Sequence, residues 1–179
     1  HMTVLSPCDA VETEQMVKAM VENKGPMYIR INRNDLPVVT DPNSEYHIGK
    51  MTRVVEGSDV VVFATGIMVQ QSMQAAKLLL EEGISVRVVN VSTIKPLDTE
   101  ALLGFCEGVK AVVTAEEHSI IGGLGSTVAG ALSKTRLPLD LIGVDDRYGT
   151  SAENYTILLK HYGLESEDVA SRIRAILTV

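Results

Sequence analysis

The stretch Lys50–Ser92, "KMTRVVEGSDVVVFATGIMVQQSMQAAKLLLEEGISVRVVNVS", decides the fold. Its first part reads as two strands around Gly57-Ser58, a pair of residues typical of a hairpin. The run "DVVVFA" is apolar without alternation, as expected of a strand covered on both faces. From Gly66 the period changes. Val69, Met73, Ala76 and Leu80 recur at helical spacing, and Gly83 stands just past the end. "ISVRVVNVS" then returns to a Val-rich strand. Strand, helix and strand within about 35 residues make a crossover unit whose two strands run parallel.

Toward the carboxyl end the same alternation continues. "DTEALLGFCEG" predicts a helix begun by Asp98, and "VKAVVTAEE" a further strand. "GGLGSTVAGALSK" predicts a helix that buries Leu124, Val128, Ala131 and Leu132. "LDLIGVDD" is the last strand, and two helices follow, near Ala152–Tyr162 and Ser166–Leu177. The pattern predicts an α/β fold in three layers: a doubly wound, mostly parallel five-stranded sheet with one antiparallel edge strand.

Before this unit lies a smaller one. Thr3–Leu5 reads as a short strand stopped by Ser6-Pro7. Ser6 or Asp9 can cap the following helix, one side of which is marked by Val11, Glu14, Val17, Met20 and Val21. Gly25-Pro26 ends it, and Met27–Ile31 is a second strand. This strand–helix–strand piece is too small to stand as a domain. Residues 34–46 carry two prolines and two asparagines and read as a linker. His1-Met2 reads as a cloning remnant.

Composition sets limits on function. Hydrophobic residues make up 45% and charged residues 22%, which suits an ordinary water-soluble domain. A formal charge of −7 argues against nucleic acid or an anionic membrane as the main partner. No apolar run approaches the roughly 18 residues of a membrane span. Cys8 and Cys106 are far apart and match no metal-ligand spacing, so reduced thiols in a cytoplasmic protein are expected.

Three places invite a chemical reading. In the strand Met27–Ile31 the side chains of Met27, Ile29 and Ile31 share one face, and Tyr28, Arg30 and Asn32 the other. One more step puts Arg33 on the apolar side, where a guanidinium needs either a buried carboxylate or a crevice with an anion in it. Second, "TAEEHSIIGGLGS" puts Glu116, Glu117 and His118 at the carboxyl end of a strand before a glycine-rich helix start. That is a candidate ligand turn, though a tight turn or subunit contact is the simpler reading. Its glycines match neither a dinucleotide fingerprint nor a phosphate loop. Third, Lys95-Pro96-Leu97-Asp98 reads as a rigid turn with Asp98 as a cap. Asp145–Tyr148 reads as a solvated turn with an internal ion pair. No metal-binding motif is present.

The motifs "SPCDAVET", "GPMYIRINR", "HIGK", "ATGIMV", "AAKLLLEEGISVRVVNVSTIKPLD", "VVTAEEHSIIGGLGS" and "YG", in this order, resemble the carboxyl-terminal part of transketolase, most closely the split type made as two subunits. The resemblance implies that residues 3–33 are the tail of a pyrimidine-binding domain and residues 47–179 a transketolase carboxyl-terminal domain. It also implies a parent enzyme that depends on thiamine diphosphate and magnesium and moves two-carbon ketol units between sugar phosphates. Arg33 then corresponds to an arginine that helps hold the substrate phosphate. The family's cofactor-binding and cofactor-activating residues belong to sequence absent here. No catalytic, cofactor or metal role is therefore expected of any residue present, and the isolated chain is expected to be inactive.

Its expected work is to support dimer assembly and frame the active-site entrance, with Glu116, Glu117 and His118 as a possible interface. The implied partner is the amino-terminal part or subunit of the same enzyme, in a homodimer or heterotetramer. Deoxyxylulose-phosphate synthase and the beta subunit of 2-oxoacid dehydrogenases share the layout and remain alternatives. A non-catalytic module that binds a regulatory anion or a partner protein is the alternative from another class.

Overall fold

A computed structural model of the chain describes residues 1–178. The larger sheet contains β3 (Thr52–Val55), β4 (Val60–Ala64), β5 (Val86–Asn90), β7 (Ala111–Ser119) and β8 (Leu139–Val144), in the order β3-β5-β4-β7-β8. β4 pairs in parallel with β5 and β7, β7 in parallel with β8, and β3 runs antiparallel along β5. The expected mostly parallel sheet with one antiparallel edge strand is present.

The unalternating run in β4 has a direct cause. All five of its residues are fully buried, because helices cover both faces of the sheet. Val60, Val62 and Ala64 join a core with α2 (Met68–Glu81) and α6 (Ser166–Ile176). Val61 and Phe63 join a second core with α3 (Thr99–Phe105) and α4 (Leu124–Leu132). These are the three layers. α5 (Tyr155–Tyr162) starts three residues later than expected, capped by Asn154, and Gly163 at φ 66° ends it.

The hairpin at Gly57-Ser58 is not there. β3 and β4 are consecutive in the chain, but β5 lies between them. Gly57 is required for another reason: a Cβ there would lie 2.1 Å from the backbone carbon of Val86. The connection runs directly against β5, where no side chain fits. α2 is also turned slightly from its expected face. Leu79 is buried while Leu80 is 66% exposed, so the stripe runs Val69, Ser72, Ala76, Leu79.

The smaller unit consists of β1 (Thr3–Leu5), α1 (Ala10–Glu22) and β2 (Met27–Ile29), with β1 and β2 parallel as expected. β6 (Thr93–Lys95) joins it by pairing antiparallel with β1, giving the order β2-β1-β6. The Lys95–Asp98 turn is therefore preceded by a strand that ties the two units together. Asp98 does cap α3, accepting from Ala101 N at 2.9 Å.

α1 buries a different side from the one expected. Glu12 and Met16 face inward, while Val17 and Val21 are 44% and 83% exposed. Helix α1 is packed on the larger domain through one face, and its apolar stripe is left open to solvent. Asp9 is its cap. The same carboxylate accepts from the backbone N–H groups of Val39 and Thr40 at 2.8 Å, which pins the 34–46 segment to the start of the helix. Among the described residues no helix is long and apolar enough to cross a membrane.

Candidate functional site

Strand β2 is only as long as its partner allows. β1 ends at Leu5, opposite Ile29, and the last bond of the ladder runs from Arg30 N to Leu5 O at 2.9 Å. Beyond it the backbone is irregular, so alternation does not carry on to Arg33. Arg33 is exposed and does not aim into the core, contrary to the parity expectation. Arg30, expected on the outer face, instead turns toward the carboxyl end of β7. It donates to the backbone oxygen of Glu117 and, at 3.3 Å, to Glu117 Oε2.

Asn32 Nδ2 donates to the same Oε2 at 3.2 Å. Asn32 Oδ1 in turn accepts from Asn34 N at 2.8 Å and Asn34 Nδ2 at 2.7 Å. Arg30, Asn32, Arg33 and Glu117 line a cleft of about 430 Å³, closed on its other side by Glu153 and Tyr155. Burial raises the Glu117 carboxyl above its usual range, and the Arg30 charge draws it partly back. The hydrogen bonds and ion pair of this cleft run through Arg30 and Asn32 and leave Arg33 open.

Glu116, one residue earlier, faces the opposite side of β7 and is 1% exposed. Its carboxylate accepts from Leu124 N and Gly125 N at 2.7 Å each, across the glycine-rich turn. The first N–H groups of α4 are thus satisfied by an anion belonging to the chain itself. The glycines make room for it, since a Cβ on Gly123 would lie 2.0 Å from Glu116 Oε2. Burial raises the Glu116 carboxyl, opposed by those two N–H donors and the more distant charges of His118 and Arg30. His118 is exposed, with Nδ1 2.9 Å from Ser119 O and 3.9 Å from Glu116 Oε2. Glu116, Glu117 and His118 are therefore not one constellation. They serve a helix start, the Arg30 cleft and the surface respectively.

The crevice where the strand order reverses, between β4 and β7, is the usual place for a ligand in such folds. Here Thr65 Oγ1, just after β4, donates to Ser6 O at 3.2 Å, and Cys8 is packed into the same core as Ala64 and Ile67. The smaller unit is wedged in at that point. Glu12 is the polar contact inside the wedge, accepting from Cys8 N and Asn90 Nδ2 at 2.8 Å each. Burial pushes the Cys8 thiol well above its ordinary value, and the nearby Glu12 and Asp9 charges add to the rise. Among the described residues no group of three or more His, Cys, Asp or Glu side chains is arranged to hold a metal ion.

The sequence reading missed Arg30, Asn32 and Glu12. The one usable signal was that Thr3–Leu5 is three residues long, which limits its parallel partner to the same length.

Comparison with known proteins gives a consistent answer. The family model described as "Transketolase, C-terminal domain" matches residues 49–169. A putative transketolase C-terminal section from Methanocaldococcus jannaschii is 38% identical over 177 residues, covering 97% of this chain and 55% of that protein. A 1-deoxy-D-xylulose-5-phosphate synthase from Synechococcus sp. (strain JA-3-3Ab) is 38% identical over 184 residues, covering 98% of this chain and 28% of that protein. The solved structure described as a split-gene transketolase, inactive β4 tetramer, superposes with a TM-score of 0.92 at 43% identity. It covers 99% of this chain and 57% of the solved one.

Proposed function

The chain belongs to the transketolase C-terminal domain family, and from that premise we propose that it is the carboxyl-terminal portion of a split transketolase. The assembled enzyme would move two-carbon ketol units between sugar phosphates. The chain spans about half the length of the transketolase relative it matches. Thiamine diphosphate and magnesium are assigned to the parts of the assembled enzyme outside this chain, namely the rest of such a C-terminal section and its amino-terminal partner subunit. The residues present here do not fit that cofactor. Among those described there is no acidic cluster for the metal, and the glycine-rich helix start is filled by Glu116.

One observation carries the reading: the smaller unit is incomplete. Among the described residues β2 has a strand on one side only, and Val17, Tyr28 and Ile31 beside it are 44%, 51% and 55% exposed. Val17 and Ile31 line a groove of about 510 Å³ with Leu36. Apolar surface next to an open sheet edge favours pairing with further chain. The fold's own work is then to dock the partner and to frame the active-site entrance. Arg33, open at the cleft, supplies a charge-assisted contact to the substrate phosphate. That a related split-gene protein is described as an inactive β4 tetramer supports self-association without activity.

The test is reconstitution of the complete C-terminal section that contains this chain with the amino-terminal partner. Ketol transfer is expected only from the mixture. Arg33→Ala should weaken phosphorylated substrates roughly 10–100-fold, the factor for losing one charged contact of about 1.5–3 kcal/mol. An unchanged kcat/KM for them removes Arg33 from the phosphate site. The similarity to deoxyxylulose-phosphate synthase favours a second reading on the same surfaces. Assaying xylulose phosphate against pyruvate plus glyceraldehyde phosphate separates the two.

A further inference from the structure

The cleft holds two arginines in different electrostatic states. Arg30 is committed to Glu117, through its backbone oxygen and through Oε2 at 3.3 Å. Arg33, three residues on, is exposed beside it. Between them Asn32 is held by the same Glu117 Oε2 at 3.2 Å and itself holds Asn34 N at 2.8 Å. A single carboxylate oxygen therefore holds the start of the short turn that carries Arg33, and through Asn32 Oδ1 its far end at Asn34 as well. These contacts bridge 87 and 85 residues of sequence, from the larger domain to the loop that leaves β2.

From this geometry we infer that Glu117 is a positioning residue, which holds the loop 30–34 so that Arg33 meets the substrate phosphate. The inference rests on the phosphate role of Arg33 proposed above. An arginine on an irregular loop otherwise loses backbone and side-chain freedom when it binds, and that loss is subtracted from affinity. Glu117 removes much of the cost in advance. The Arg30 guanidinium lies against its carboxylate and offsets much of the negative charge that Arg33 and the phosphate would meet. Selectivity for phosphorylated substrate then depends on a side chain of the larger domain that acts through the loop 30–34.

The experiment uses the complete C-terminal section that contains this chain, reconstituted with its amino-terminal partner, and steady-state kinetics on a phosphorylated substrate and its unphosphorylated analogue. Glu117→Ala should raise KM for the phosphorylated substrate roughly 5–20-fold, the factor for leaving one or two side chains to be ordered on binding. It should leave kcat within about twofold, and the analogue unaffected. Glu117→Gln keeps an oxygen that can accept from both Arg30 and Asn32, so most of the loss should be restored. Asn32→Ala leaves the Arg30–Glu117 pair intact and should act in the same direction as Glu117→Ala. It decides the matter if Glu117→Ala fails to assemble.

An unchanged or lowered KM in Glu117→Ala overturns the inference, since the carboxylate would then be idle or merely repulsive. An equal effect on both substrates also overturns it, as that marks a structural clamp alone. Arg33→Ala is run in parallel. If it fails to distinguish the two substrates, the phosphate reading itself falls. If it does distinguish them while the Glu117 variants do not, only the positioning role is lost.

Discussion

Glu116→Ala is the change that most directly probes how this domain is held together. The substitution removes a carboxylate that is 1% exposed and accepts two hydrogen bonds of 2.7 Å. Each leaves a buried N–H without a partner, at about 1–3 kcal/mol. The α4 start also loses its cap, a loss of roughly 0.5–2 kcal/mol that partly overlaps the first. Against this stands the desolvation of the carboxylate, which the variant no longer suffers. We expect a net loss of about 3 kcal/mol. Followed by far-ultraviolet circular dichroism in urea, with a slope of about 2 kcal/mol per molar, the midpoint should fall by about 1.5 M.

Glu116→Gln keeps one acceptor and should lose roughly half as much. Its pH dependence carries an independent sign. Burial raises the native carboxyl above its usual value of 4.5, so the folded chain binds the proton more tightly than the unfolded one. The stability from this group is fully present below the unfolded value and is lost as pH rises through the raised native value. The advantage of the wild type over Glu116→Gln should therefore shrink with rising pH in that window. A midpoint shift below about 0.5 M for Glu116→Ala, at unchanged slope, refutes the account of how α4 is anchored.

Gly57→Ala should destabilise by at least about 3 kcal/mol, because its Cβ would lie 2.1 Å and 2.3 Å from backbone atoms of Val86 and Arg87, which cannot rotate away. A tolerated alanine in thermal melts contradicts this packing. For Asp9, burial acts to raise the carboxyl, but the N–H groups of Glu12, Thr40 and Val39 outweigh it and hold it below the usual 3.8. Its stabilisation is thus present above the unfolded value and lost as pH falls through the lower native one. Asp9→Asn should cost about 2 kcal/mol near neutrality and progressively less toward pH ~2, as read by urea melts across that range. Val17→Glu, on the open face of α1, should change the stability of the isolated chain by no more than about 0.5 kcal/mol. It should nonetheless weaken association with the amino-terminal partner, and unaltered assembly in sedimentation would remove that face from the interface.

Much of the fold was legible in the chain because its signals are local. Unalternating Val-rich runs separated by helical stripes require a parallel sheet between two helix layers, and β4 with α2 shows it. Caps such as Asp9 and Asp98 act within three residues of themselves, so sequence order alone exposes them. Other features depend on neighbours far along the chain. Gly57-Ser58 resembles a hairpin locally, yet β5 takes the place beside β3 and leaves the glycine to fit against its backbone. Parity put Arg33 inside, but β1 ends the ladder after three residues and Arg30 turns inward instead. Glu116 and Glu117 are adjacent, and only the twofold alternation of β7, with α4 on one side and the β2 loop on the other, gives them separate partners. Periodicity and capping are properties of a few consecutive residues. Ladder length, strand neighbours and the pairing of buried charge are properties of the space between segments, and they arise only once the two units pack together.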